Sequence, residues 1–388
     1  MVARGRANGL DAVGIAGAEP FERTRADLEE RRAAGLNADM QFTYRDPARS
    51  TDPSRTLPGA RSIVVGAVRY ASDLLDEPGS IGPASDGAAS SPPSGGAVVG
   101  PLGRVARYAT GDHDAVLRGA LAAVALDLRN AGYRTVVLAD DNALVDRAAA
   151  HRAGIGWFGK SSNLLLPGSG SWFVLGSVLT DAPLDASPSP VPDGCGSCRR
   201  CVDGCPTGAI VADGVVDARR CLSWLLQSPG EFPHEFRDVL GDRIYGCDDC
   251  QEVCPPNRLA DRRGEGAPPA AVPVDRIDVL WMLLADDDAL MAAAGRWYVP
   301  GRDPDHLRRN ALLVLGNTAS PGDPAVIDAL RRHLRHRNDE LASHAAWAAL
   351  RLGRSDLLDE PDVVDRPAVR AEREVAAALA PAGSGEQG

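Results

Sequence analysis

The stretches CGSCRRCVDGCP at residues 195–206 and CDDCQEVCP at 247–255 decide what this chain folds around. They hold all but one of its eight cysteines, and the remaining one, Cys221, lies between them. The first stretch spaces its thiols as C-x2-C-x2-C-x3-C and the second as C-x2-C-x3-C, and a proline follows the last cysteine of each. Thiols spaced this tightly, in a chain with ample apolar sequence, indicate metal binding rather than a disulfide framework.

The first spacing is that of bacterial ferredoxins, in which three close thiolates hold one [4Fe–4S] cubane and the fourth reaches a second one. Two cubanes require eight thiolates, which is the number that the chain has. Zinc knuckles are the alternative, but zinc sites favour separated C-x2-C pairs or mixtures of cysteine and histidine, and neither stretch contains a histidine. We assign one cluster to Cys195, Cys198, Cys201 and Cys254, and the other to Cys205, Cys221, Cys247 and Cys250.

The remaining composition is that of an ordinary globular chain. Its 388 residues are 44% hydrophobic and 24% charged, which is enough for two or three domains. Residues 1–10 lack the apolar core of a secretory signal, and no stretch approaches the roughly 18 apolar residues of a membrane span, so we expect a cytoplasmic protein without a membrane segment. The net charge of −11 excludes a general basic footprint for nucleic acid, so such binding would depend on a local patch.

The hydrophobic pattern predicts three domains. Residues 1–184 alternate strands and helices and should form an α/β domain, interrupted by a flexible loop at 76–102 where Gly, Pro, Ser and Ala dominate. Prolines in 181–194 mark the boundary to a ferredoxin-like two-cluster domain at 185–265. Residues 266–380 are expected to be all-helical, and a sequence similarity at an offset of 37 residues predicts a short HEAT-like repeat.

Within the α/β domain, periodicity predicts four strands and three helices. The strands are expected at 9–16, 61–70, 133–138 and 171–180, and the helices at about 25–34, 114–130 and 143–152.

Residues 154–161, GIGWFGKS, match two phosphate-loop patterns. A phosphate-binding loop needs a strand before it and a helix after it. Here a helical segment precedes the motif and an apolar, turn-like segment follows it, so we assign no nucleotide site. Gly154 is instead expected to be a left-handed helix C-cap.

Asp140, Asp141 and Asn142 lie between the third predicted strand and the next helix. Such residues are most often helix N-caps. The carboxyl end of a strand is also where α/β proteins place reacting groups. The residues alone leave both roles open.

Several longer motifs resemble those of one family, the epoxyqueuosine reductases, which perform the last step in making the tRNA nucleoside queuosine. The resemblance runs from about residue 9 to 353 and includes the paired cysteine stretches. Its other distinctive segments are MQFTYR (40–45), DPSRTLPGARSIVV (52–65), GRVARYATG (103–111), AGIGWFGK (153–160), VDARRCLSW (216–224), GDRIYGCDDCQEVCPPN (241–257) and LRRNALLVLGN (307–317).

This resemblance implies a cobalamin-dependent reductase whose two clusters pass electrons to a base-off cobalamin in the N-terminal domain. The epoxide of epoxyqueuosine would be converted to the alkene with loss of its oxygen as water. By residue matching, Asp140 would be the proton donor and would touch cobalamin, as would Arg45, the Leu164 backbone, Ser223 and Asp248. The implied partners are tRNA, through its anticodon stem-loop, and an external electron donor such as flavodoxin or ferredoxin; we expect a monomer.

The sequence departs from the family pattern at two places. The family usually has Ser or Thr after the proposed acid, whereas Asp141 stands there in this chain. The usual G-x-D-Y-H is shortened to residues 111–114, GDHD, which affects any contact expected from that loop.

Two alternative functions stay open. One is a plain ferredoxin-type electron-transfer protein. The other is a cobalamin-dependent reductive dehalogenase, which shares the cluster arrangement but is usually exported through a twin-arginine signal that is absent from this sequence.

Arginines in the C-terminal repeat predict a surface that binds tRNA phosphates, although arginines on a helix are as often merely solvated. They are Arg308, Arg309, Arg331, Arg332, Arg335 and Arg337.

Overall fold

The computed structural model describes residues 1–70, 80–81, 100–188, 190–263, 275–295 and 297–379. The predicted loop at 76–102 lies almost entirely outside these residues. No helix in the described ranges combines the length and the apolar character needed to cross a bilayer.

The chain forms two compact units, which are described separately. Unit 1 comprises Met1–Glu77, Arg107–Leu225 and Cys247–Pro273, and unit 2 comprises Pro78–Ala106, Leu226–Gly246 and Val274–Gly388. These units cut across the three consecutive domains expected from the sequence. The difference arises because Leu226–Gly246, which separates the two cysteine stretches in sequence, packs with the C-terminal helices.

The strands and helices have the following bounds. The strands are β1 (Ala12–Gly17), β2 (Ser62–Arg69), β3 (Ser80–Ile81), β4 (Leu102–Val105), β5 (Thr135–Ala139), β6 (Trp157–Phe158), β7 (Leu164–Leu165), β8 (Phe173–Thr180), β9 (Ile210–Ala212), β10 (Val215–Val216), β11 (Arg243–Tyr245) and β12 (Arg276–Asp278). The helices are α1 (Val2–Ala7), α2 (Glu22–Ala33), α3 (Pro47–Ser50), α4 (His113–Asn130), α5 (Asp146–Arg152), α6 (Arg200–Asp203), α7 (Leu222–Leu225), α8 (His234–Leu240), α9 (Asp249–Glu252), α10 (Pro255–Arg262), α11 (Val279–Leu284), α12 (Asp287–Ala294), α13 (Pro304–Thr318), α14 (Pro324–Leu334), α15 (Asp339–Arg351) and α16 (Pro367–Leu379).

Unit 1 is built on a four-stranded sheet in the order β1-β2-β8-β5, in which every neighbouring pair is antiparallel. All eight residues of β2 are buried, because successive side chains point to opposite faces and both faces are covered. Ile63 and Val65 belong to the core that contains the alanines of α5, and Val64 and Val68 to the core that contains the apolar face of α4. The expected mixture of strands and helices is present, and the sheet is antiparallel.

Unit 2 also contains a sheet, in the order β11-β4-β12-β3. Strand β12 lies in the region that was predicted to be all-helical, and β3 lies inside the predicted loop. Both expectations are therefore wrong at these places. The reason is mutual pairing, because β12 pairs antiparallel with β4 and parallel with β3, and short strands of this kind have little pattern of their own.

The predicted helical repeat corresponds to α13 and α15, which pack against each other. A Cβ added to Gly316 would lie 2.7 Å from the Trp347 ring and 2.9 Å from the Ala348 Cα, so this glycine permits the close approach of the two helices. The matching Gly353 lies beyond the end of α15 with φ of +71°. The two sequence units therefore differ in structure at their ends, and a HEAT-like repeat stays a prediction.

The predicted tRNA-binding role is wrong for Arg308 and Arg309. Arg309 is 1% exposed, and its Nη1 donates to the carbonyl oxygens of Ser228 at 2.8 Å and Gly230 at 2.6 Å. Arg308 is 8% exposed and its Nη2 donates to Asp287 Oδ1 at 2.6 Å. Their guanidinium donors are used inside unit 2, where they hold irregular backbone in place.

The other arginines of this set divide into two kinds. Arg331 forms an ion pair with Glu360, and Arg335 forms ion pairs with both Glu360 and Asp362. A phosphate would have to compete with these carboxylates. Arg332 and Arg337 are exposed.

We expect Arg309→Met to lower the free energy of unfolding by about 1–3 kcal/mol, since it removes the donor that a buried guanidinium provides to the Ser228 and Gly230 carbonyl groups. The measurement is chemical denaturation of the reconstituted protein followed by circular dichroism. The matched control is Arg332→Met on the exposed side of α14, with an expected change within about 0.5 kcal/mol. Equal losses in the two variants would contradict a structural role for Arg309.

Candidate functional site

All eight cysteines lie in unit 1 as free thiols. They form two groups. The thiols whose charges raise the pKa of Cys254 are Cys201, Cys195 and Cys198. The thiols whose charges raise the pKa of Cys250 are Cys247, Cys221 and Cys205. We call these sets the first thiol group (Cys195, Cys198, Cys201 and Cys254) and the second thiol group (Cys205, Cys221, Cys247 and Cys250). These are the same two sets of four cysteines that were assigned from the sequence.

The surroundings of the thiols favour the binding of a positively charged iron–sulfur core. Burial raises the pKa of Cys254 to about 11 and that of Cys250 well above its usual range, and neighbouring thiolates add to both effects. Iron reverses this penalty, because coordination requires the thiolate and supplies the positive charge. Backbone N–H groups also point at sulfur, as the Ala209 amide does at Cys205 Sγ over 3.2 Å. Donors of this kind tune iron–sulfur clusters, so the donor set fits two cubanes.

Asp140, the candidate acid, directly follows β5. It is exposed and has φ of +52°, in the left-handed region that few residues other than Gly, Asn and Asp adopt. The turn after the strand is closed by its neighbour, since Asp141 Oδ1 accepts a hydrogen bond from the Ala143 amide at 2.8 Å. Helix α5 then starts only at Asp146, later than predicted. The N-cap expected in this segment is therefore wrong, because the residue before α5 is Val145, which provides no side-chain cap, and Asp141 only closes the turn.

Other carboxyl groups surround Asp140. Burial raises the pKa of Asp114, and it raises the pKa of Asp146 well above its usual range. For both groups the second largest cause is the negative charge of Asp140. A buried carboxyl with a negative neighbour retains its proton to higher pH. Asp146 can therefore be protonated close to Asp140.

Arg147 connects this acidic region to the second thiol group. Its surroundings lower the pKa of its guanidinium, chiefly through burial. The charges that act on it come from Cys250, Tyr70, Asp146 and Cys221.

Arg147 also holds a loop that lies beside the second thiol group. Its Nη1 donates to the Ser162 carbonyl oxygen at 3.1 Å, and Ser162 lies in the loop that joins β6 and β7. In the same loop, Asn163 Nδ2 lies 3.9 Å from Cys250 Sγ.

Arg147 and Tyr70 were not identified from the sequence. Tyr70 is 4% exposed, directly follows β2, and its ring lies 5.4 Å from that of His113. His113 belongs to the shortened GDHD segment, in which Asp112 caps α4 by accepting from the Ala115 amide at 3.0 Å. The available signal for Arg147 was the charged pair DR at the start of the alanine-rich helix DRAAAHR.

The remaining predicted contacts differ in accessibility. Arg45 is exposed, and Ser223 is half-buried on α7, next to Cys221. Leu164 is 2% exposed, and its backbone pairs with Phe158. Asp248 is 4% exposed, and its Oδ2 accepts from the Arg107 amide at 2.7 Å.

The predicted role of Gly154 as a left-handed helix C-cap is confirmed. Gly154 has φ of +70°, its amide donates to the His151 carbonyl oxygen at 3.1 Å, and the Ile155 amide donates to that of Ala150 at 3.0 Å. These bonds are the signature of a Schellman C-cap. Strand β6 follows, so the motif lacks the helix that a phosphate loop requires.

Comparison with known proteins identifies a domain and several relatives. Residues 194–257 match the family of 4Fe–4S double cluster binding domains. The epoxyqueuosine reductase of Vibrio cholerae is 33% identical over 353 residues, which is 88% of each chain. That of Bacillus cereus is 32% identical over 361 residues, covering 91% of this chain and 88% of the relative. That of Xanthomonas campestris is 34% identical over 359 residues, covering 90% of this chain and 94% of the relative.

Solved structures resemble this one over nearly their whole length. An epoxyqueuosine reductase crystallised with an epoxyqueuosine-modified tRNA stem loop has a TM-score of 0.82 and 28% identity, covering 96% of both chains. The epoxyqueuosine reductase of Streptococcus thermophilus has a TM-score of 0.81 and 27% identity, covering 97% of both chains. The enzyme of Bacillus subtilis, with a TM-score of 0.80 and 28% identity over 96% of both chains, was captured with a catalytic aspartate loop swung out of its active site.

Proposed function

We propose, from the premise that this chain belongs to the epoxyqueuosine reductase family, that it reduces epoxyqueuosine in tRNA to queuosine. The observation that carries the proposal is the placement of eight thiols in two groups, together with Arg147, whose guanidinium is acted on by the charges of both Cys250 and Asp146. Conversion of an epoxide to an alkene consumes two electrons and two protons and releases water. The site therefore has to supply both.

The clusters account for the electrons. The chain contains a 4Fe–4S double cluster binding domain, and we propose the first and second thiol groups as the ligands of its two cubanes. Base-off cobalamin, when bound, would supply the low-valent cobalt for the reduction. Such a group fits here because Ser223 and Asp248 lie close in sequence to ligands of the second thiol group, and Asp140 lies among carboxyl groups.

Asp140 is proposed as the donor of the proton that the departing oxygen needs. It is exposed and is not used to close the turn that follows β5. The pKa of Asp146 is raised by burial and by the Asp140 charge. Arg147 holds the loop containing Ser162 and Asn163, and Asn163 lies beside Cys250 of the second thiol group.

The proposed cobalamin contacts are Arg45, Asp140, the Leu164 backbone, Ser223 and Asp248. Of these, Asp248 is 4% exposed and therefore has little surface to offer a cofactor. We further propose that the substrate enters as the anticodon stem-loop of tRNA and that a flavodoxin or ferredoxin supplies electrons. We also propose that the protein acts as a monomer in the cytoplasm.

The test is mass spectrometry of tRNA nucleosides from a strain that lacks this gene. Epoxyqueuosine should accumulate and queuosine should disappear, and the wild-type gene should restore queuosine. Persistent queuosine in the deletion strain would overturn the proposal. Reconstituted protein that takes up both clusters but no corrin would favour the ferredoxin-type alternative.

A further inference from the structure

A network of hydrogen bonds converges on Gln251, which follows Cys250 on α9. Its Oε1 accepts from Ser171 Oγ at 2.8 Å, and its Nε2 donates to Asp248 Oδ1 at 3.3 Å. A further side-chain hydrogen bond joins Gln251 to the Tyr70 phenol. A single amide group thus contacts three polar side chains.

These three partners are buried and come from separate parts of unit 1. Tyr70 is 4% exposed and follows β2, Ser171 is 6% exposed and precedes β8, and Asp248 is 4% exposed and stands between Cys247 and Cys250. A buried polar network in which each member has partners is rigid, since loss of any bond leaves a desolvated group.

Asn257 makes a second connection beside the first. Its Nδ2 donates to Ser171 Oγ at 3.0 Å and to the Gln251 carbonyl oxygen at 2.8 Å, and its Oδ1 accepts from the Ser171 amide at 2.6 Å. A Cβ on Gly170 would lie 1.9 Å from that Oδ1, so the chain before β8 approaches Asn257 too closely for any side chain. The second cysteine stretch is therefore held against β8 at two residues.

We propose that Gln251 is a positioning residue that fixes the turn carrying Cys247 and Cys250, and hence the second cluster, against the ends of β2 and β8. Asp248 acts within this network, through Gln251 and the Arg107 amide. Groups that hydrogen-bond around a metal ligand orient it and tune the metal. The strands next to this network belong to the same sheet as β5, which Asp140 directly follows, so the network would also fix the distance between cluster and acid. The effect on turnover rests on the proposed function, whereas the effect on the cluster does not.

The decisive variant is Gln251→Met, which keeps a side chain of similar length and removes the amide donor and acceptor. The midpoint potentials and electron paramagnetic resonance spectra of both clusters would be measured in reconstituted protein without tRNA. We expect the signal and potential of the second cluster to change and those of the first to stay as in wild type. Cys221→Ala, which should lack the second cluster, identifies which signal belongs to which group. Turnover should fall about tenfold or more with KM for the stem-loop unchanged.

Two further variants complete the test. Ser171→Ala removes one hydrogen bond to Gln251 and should produce a smaller change in the potential of the same cluster. If Gln251→Met loses iron, the potentials measured in Ser171→Ala provide the test. Arg258→Gln, on the exposed side of α10, is the control and should leave both potentials unchanged. Unchanged potentials in Gln251→Met, or equal shifts of both clusters, would overturn the proposal. A wild-type protein without reductase activity would instead overturn the proposed function and leave these measurements valid.

Discussion

Asp140→Asn should retain both clusters and the fold and lose turnover by a factor of about 10² or more, since general-acid assistance contributes on that order. Asparagine is the informative replacement because Asp140 has φ of +52°, a conformation that Asn adopts at lower cost than Ala. The amide has the shape of the carboxyl group and cannot act as its acid. The measurement is single-turnover conversion of an epoxyqueuosine stem-loop, followed by nucleoside mass spectrometry.

Asp141→Asn is the matched control. The Asp141 oxygen accepts from the Ala143 amide, and an asparagine carbonyl can accept the same bond. We therefore expect a much smaller loss of turnover than in Asp140→Asn. An essential Asp141 with a dispensable Asp140 would place the acid one residue later, and loss of cofactor in Asp140→Asn would make Asp140 an anchor.

The cysteine pattern was sufficient to predict the two thiol groups. Ligand spacing in a cluster is local, so the distance between Cys195 and Cys201 along the chain limits their distance in space. Even the distant members, Cys221 and Cys254, could be assigned by the requirement for eight thiolates. The strands of the sheet were also predictable, because β2 and β8 are continuous apolar runs.

The arginines of α13 show where such reasoning fails. A row of arginines has the same sequence pattern whether it faces solvent or binds internal carbonyl groups. Arg309 is buried because the segment at Ser228 and Gly230 returns from a distant part of the chain and leaves carbonyl groups that need donors. That requirement arises from the tertiary fold, and no local pattern contains it.

The surroundings shared by Tyr70, Arg147 and Gln251 were hidden for a similar reason. Tyr70 follows one strand, Arg147 lies in the first turn of a helix, and Gln251 follows a cysteine, and each looks ordinary in its own segment. Their common surroundings appear only after β2, α5 and the second cysteine stretch have been assembled. The prediction for Asp140 came from the family resemblance, since the residues alone could not distinguish it from an N-cap.

Cys221→Ala should reduce the iron content of reconstituted protein from about eight to about four atoms per chain, since each cubane holds four irons. Cys221 is the decisive position because it stands alone in the sequence, whereas in the structure the Cys205 charge acts on it and burial raises its pKa. Without its thiolate the second group retains three ligands, while the first group keeps all four. The visible absorption of cubanes should fall by about half, with the remaining signal that of the first cluster.

Ser223→Ala is the matched control, because Ser223 lies on α7, which begins directly after Cys221, and is not a proposed ligand to iron. This variant should keep about eight iron atoms per chain, whether or not it binds cobalamin as the wild type does. Zinc in place of iron would contradict the assignment of both thiol groups. So would a wild-type content of about four irons that does not depend on Cys221, because a single cluster could then be built without joining the two cysteine stretches.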